Sequence, residues 1–72
     1  MQIEIGSIVQ STHIAVPAGA LGIVTRILGN MAMVTWYEGH PGASRKLNTE
    51  PFFIDDLIDT GEQLPSPSRS VH

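Results

Sequence analysis

The chain has 72 residues with no cysteine, four basic against seven acidic side chains for a formal charge of -3, and 42% hydrophobic but only 15% charged content. That length holds one domain burying about 60% of the surface of its unfolded chain; without disulfides or thiolate metal sites, a compact all-β barrel or an oligomer must supply the missing burial. The charge argues against a phosphate-binding protein, whose basic surface gains from counterion release, and the low charge suggests apolar surface committed to a partner or a second copy, or simply the larger exposed area of a small domain.

From the N-terminus, Met1, Ile3 and Ile5 alternate with Gln2 and Glu4, a short strand or extended lead-in to Gly6. No apolar run approaches the ~18 residues of a membrane span, and the first residues lack the basic and apolar regions of a signal peptide, so a cytoplasmic protein is expected. Residues 7–12 read as the first strand. An irregular apolar loop, His13 to Gly19, follows, in which Pro17 removes a ladder donor and Gly19 permits a sharp turn. A loop that apolar must fold back on the domain or be covered by a partner.

The stretch from Gly19 to Trp36 organises the rest. Ala20 to Leu28 and Met31 to Tyr37 are dense in β-branched and aliphatic residues, and Gly29-Asn30 between them offers the positive φ of a two-residue hairpin turn. On the earlier strand both faces are apolar, which a bulge or bend near Gly22 or Ile27 would resolve. On the later strand Ala32, Val34 and Trp36 are taken as core; a one-residue slip would bury Met31 and Met33 instead.

Glu38 to Ala43 is a Gly/Pro loop, and Ser44 to Thr49 a short polar strand. Pro51 suits the first position of a 3₁₀ turn within residues 52–57, and residues 57–60 make the closing strand. In such a turn one of Phe52 and Phe53 is buried and the other exposed. The exposed one, with Met31 and Met33 if they lie outside, would form an apolar patch suited to a partner. Residues 61–72, rich in Ser and Pro, read as a disordered tail after a domain spanning 1–60.

Five short strands, a long first loop, a tight second hairpin and a 3₁₀ turn before the last strand resemble an SH3-like small barrel. Gly19-x-x-Gly22-x-Val24-x-x-Ile27, followed by Val34-x-Trp36, is similar to the KOW-type pattern of ribosomal and transcription-elongation proteins. Asn48-Thr49 through Phe53 to Asp56-Leu57 resembles photosystem I subunit IV and related ferredoxin-docking barrels. The first resemblance implies RNA binding through basic residues, of which residues 6–60 offer Arg26, Arg45 and Lys46. The second implies a basic surface for an acidic partner, here Arg45-Lys46. Plasmid-encoded dihydrofolate reductases share the architecture, but their pore strand has no counterpart in this chain.

The histidines His13, His40 and His72 match no metal-ligand spacing and read as solvated loop residues. Asp55, Asp56 and Asp59 could pair carboxylates for acid-base or hard-cation chemistry, but such acids more often cap a 3₁₀ turn by accepting backbone N–H bonds. No metal and no cofactor is expected. Arg45-Lys46 beside Tyr37 could contact phosphate and stack a base, or could protect a strand edge. The expectation is therefore a non-enzymatic SH3-like barrel serving as a protein-interaction or accessory subunit, in contact through Ile14, Val16, Tyr37, His40, Arg45, Lys46 and Phe52. The alternatives are a KOW-type nucleic-acid binder using Arg26, Arg45, Lys46 and Tyr37, and an oligomeric enzyme with its site between barrels, a single small barrel lacking a deep pocket.

Overall fold

Short β-branched runs punctuated by glycine and proline fold into five strands: β1 (Ser7–Gln10), β2 (Leu21–Leu28), β3 (Met31–Tyr37), β4 (Lys46–Phe53) and β5 (Ile58–Gln63), with a 3₁₀ turn at Ile54–Asp56. The computed structural model describes residues 3–14 and 16–63. All pairings are antiparallel, in one sheet of order β4-β3-β2-β1-β5. No ladder joins β4 to β5, so the sheet is open where a closed barrel is expected from the sequence.

The β2–β3 hairpin turns on Gly29-Asn30, with Gly29 at φ +62° and no positive φ at any non-glycine position described. Positive then negative φ is the order of a type II′ turn, so Asn30 does not use its left-handed tolerance. Leu28 pairs with Met31, Ile27 with Ala32 and Arg26 with Met33, but Val24 pairs with Val34, leaving one extra residue on β2 at Thr25. This bulge falls between the two sites expected for it and exchanges the faces of β2. Val24 points into the core before the bulge and Ile27 packs on the core after it, which accounts for the two apolar faces.

The core unites Val9, Val24, Val34, Trp36 and Phe52 with Val16, Ala20, Ala32 and Leu57. Ala32, Val34 and Trp36 are all at most 2% exposed, which fixes the register with Trp36 inside. The indole meets the Phe52 ring edge-on at 5.3 Å, a favoured aromatic geometry. Gly22 lies directly opposite Trp36. A methyl group on Gly22 would stand 2.8 Å from Trp36 Cε3, 2.9 Å from Cζ3 and still closer to Val34 Cγ1. The Gly19-x-x-Gly22 spacing thus has two causes: Gly19, at φ +84°, answers to the backbone, and Gly22 to the indole.

β4 runs through Pro51, so the proline does not open the 3₁₀ turn, and Phe52 and Phe53 alternate on an extended strand. β5 continues to Gln63, which pairs with Ser7. The boundary expected at Gly61 therefore falls within a strand, and the remainder of the expected tail, residues 64–72, lies outside the described residues. No helix among the described residues is long and apolar enough to cross a membrane.

Candidate interaction surface

Cross-strand partners in an antiparallel sheet project to the same side. With Ala32, Val34 and Trp36 turned inward, the outer side of β2–β3–β4 is built of four rows. Leu28–Met31–Phe53 lies nearest the hairpin turn, followed by Arg26–Met33–Pro51, then Ile23–Thr35–Thr49, then Leu21–Tyr37–Lys46. Leu28 and Phe53 are 56% and 52% exposed, and Met31 and Met33 are half-buried beside them. The apolar patch anticipated for Met31, Met33 and one phenylalanine therefore exists, with Phe53 as its aromatic member. The Thr35 and Thr49 hydroxyls are joined at 2.7 Å across this face.

Two of the expected contact residues are corrected by burial. Phe52 is 7% exposed because the strand, continuing where a 3₁₀ turn was expected, turns it onto Trp36. Val16 is 9% exposed and belongs to the core, since the long first loop folds back; its N–H donates to the His13 carbonyl at 2.9 Å. Ile14, in contrast, is 98% exposed. Tyr37 is half-buried opposite exposed Lys46. His40 and Arg45 are exposed but engaged. Arg45 Nη2 lies 3.2 Å from Glu38 Oε2, and His40 Nε2 lies 3.8 Å from Glu62 Oε1 of β5. The β3–β4 loop is closed by Glu38 N–H to the Arg45 carbonyl at 2.9 Å and by the Ser44 hydroxyl donating to the His40 carbonyl at 2.7 Å.

A shallow groove of about 270 Å³ is lined by Ser11, Thr12, His13, Asp55, Asp56 and Ile58. The Ser11 hydroxyl donates to the Asp56 carbonyl and accepts the His13 N–H, both at 3.1 Å, so it ties the first loop to the 3₁₀ turn and is not poised as a nucleophile. The 3₁₀ turn has no side-chain cap, contrary to the role expected of Asp55 and Asp56. Asp59 is the acid that accepts a backbone N–H, from Gly61 at 2.9 Å. Among the described residues no group of three or more His, Cys, Asp or Glu could hold a metal ion; His72 lies outside them.

No protein-family model, curated protein or solved structure matches the chain.

Each sheet edge carries features that hinder an added strand. On β4, the Ile54 N–H donates to the Asn30 carbonyl at 2.9 Å. By the alternation of an antiparallel ladder, Phe52 and Glu50 then point their amides at β3, while Thr49, Pro51 and Phe53 turn outward. Pro51 has no N–H to offer there, which is where an edge strand tolerates proline. On β5, the N–H groups of Gly61 and Glu62 are taken by the Asp59 carboxylate at 2.9 Å and the Thr60 hydroxyl at 3.3 Å. Pro51, Asp59 and Thr60 thus add to the edge protection suggested for Arg45-Lys46, of which exposed Lys46 opens the edge strand β4.

Proposed function

We propose that the chain is an SH3-like accessory domain, left open between β4 and β5, that binds a protein partner through the outer face of β2–β3–β4. The SH3-like reading is supported by the strand order β4-β3-β2-β1-β5, the long first loop and the 3₁₀ turn before the last strand. The observation carrying the binding reading is the cross-strand row Leu28–Met31–Phe53, apolar throughout and open to solvent at both ends. Single exposed apolar residues are ordinary, but a contiguous row on a rigid sheet is a docking feature. Methionine beside an aromatic residue gives such a patch adaptable shape.

The test is retention of proteins from the native host's extract, after nuclease treatment, on the tagged chain and on two variants. A defined protein held by the parent and by Ile14→Ser, and lost on Leu28→Ser/Phe53→Ser, is the expected result. Loss on Ile14→Ser alone would move the site to the first loop.

A KOW-type nucleic-acid binder is the second reading, because Arg26, Lys46 and Tyr37 do share one face. Recovery of RNA or DNA that is released steeply by salt would favour it.

A further inference from the structure

The charges of the outer face say what kind of protein segment it takes; this step rests on the protein-binding reading above. The four rows contain Arg26 and Lys46 and no carboxylate. All seven acids lie elsewhere, on the lead-in, the β3–β4 loop, the 3₁₀ turn, β5 and, at Glu50, the opposite-facing position of β4. An acidic chain thus presents an apolar face whose charges are all positive. Neither cation is engaged: among the described residues Arg26 and Lys46 form no ion pair, whereas Arg45 is held by Glu38.

Successive rows are about 7 Å apart along the strands, so Arg26 stands one step from the apolar row and Lys46 roughly 20 Å from it. We infer that this face docks a protein segment in which apolar side chains alternate with carboxylates, the apolar ones over Leu28, Met31 and Phe53 and an acid against Arg26. The segment lies on the face, where the apolar row and Arg26 are, since Pro51 interrupts the β4 edge and the Gly61 and Glu62 N–H groups of β5 are engaged. Two cations spread over this distance neutralise few phosphates, so the surface suits a polypeptide better than a nucleic-acid backbone.

The experiment selects a displayed library of random short peptides on the full chain. It then compares binding to the parent, Arg26→Glu/Lys46→Glu, Arg26→Gln/Lys46→Gln and Leu28→Ser/Phe53→Ser, each checked for unchanged circular dichroism. The expected result is peptides combining Leu, Phe, Met or Trp with Asp or Glu. Their affinity should fall roughly tenfold on charge reversal and less on neutralisation, the scale expected for exposed ion pairs turned repulsive, and binding should be lost on Leu28→Ser/Phe53→Ser. Neutral or basic apolar peptides that still need Leu28 and Phe53 would overturn the acidic partner and leave the docking face standing. Peptides indifferent to every variant, or no enrichment, would overturn both. Tighter binding of a single-stranded oligonucleotide than of any selected peptide would replace the inference with nucleic-acid recognition.

Discussion

Gly22→Ala tests the account at the point where sequence, register and core meet. Gly22 and Trp36 are cross-strand partners, and the added methyl group would fall 2.8 and 2.9 Å from two atoms of the indole's six-membered ring and closer still to Val34 Cγ1. Val34 and Trp36 are 0% and 2% exposed, so neither can swing into solvent. Overpacking of this kind costs about 1–3 kcal/mol. Loss of glycine's freedom in the unfolded chain offsets about 0.4–1 kcal/mol, since the backbone at Gly22 does not use positive φ. The central values of these two ranges leave a net loss of about 1 kcal/mol, a fall in Tm of roughly 4–8 °C for a domain of this size.

Thermal and urea melts followed by far-UV circular dichroism read it directly. The cycle is completed by Trp36→Phe, which removes the clashing ring atoms and also an indole N–H buried without a partner among the described residues. In the Trp36→Phe background Gly22→Ala should cost at least about 0.5 kcal/mol less, the scale of coupling between contacting residues. Gly19→Ala is the control: at φ +84° and with no described residue within 4 Å of its added methyl group, it strains the backbone alone and its cost should be additive with Trp36→Phe. A neutral or stabilising Gly22→Ala, or equal costs in both backgrounds, would refute the packing of the indole over β2.

Adjacent phenylalanines should behave oppositely: Phe52→Ala should cost about 3–5 kcal/mol in chemical denaturation, and Phe53→Ala under about 1 kcal/mol. Equal costs would mean that β4 does not alternate as described. Pro51→Thr restores an outward N–H on the β4 edge and should increase self-association in light scattering after gel filtration, relative to the parent at the same concentration; an unchanged mass would show that proline does not guard that edge. A chain ending at Thr60 should melt below one ending at Gln63, because it loses the Ser7–Gln63 pairing and the Asp59–Gly61 turn; identical melting would place the end of β5 before Gly61.

The hairpin of β2 and β3 was legible because its signals are local, β-branched runs on either side of a glycine turn, whereas period-2 alternation left open whether Trp36 or the two methionines face inward. Met31 to Tyr37 was expected as a strand and is one. The bulge at Thr25 announced itself as two apolar faces, but its position depends on which ladder bonds β3 offers, and that is not written in β2. Pro51 misled because proline opens helical turns and also sits on strand edges; only the outward direction of its missing N–H decides between them. Moving the 3₁₀ turn to Ile54 then exchanged Phe52 and Phe53 between surface and core. The polar residues at the end of β5 carry no strand signal and are held by pairing with β1, a contact between the two ends of the described chain. Arg45 reads as a free cation until the loop brings it to Glu38.

The central claim, that a protein docks on the outer face of β2–β3–β4, is tested most directly by a photo-crosslinking amino acid placed at Phe53 and, as a control on β5, at Glu62, with both chains expressed in the native host. A discrete protein adduct is expected from position 53, abolished by Leu28→Ser, and none from position 62. Adducts from position 62 with none from 53, or adducts to nucleic acid from position 53, would contradict it.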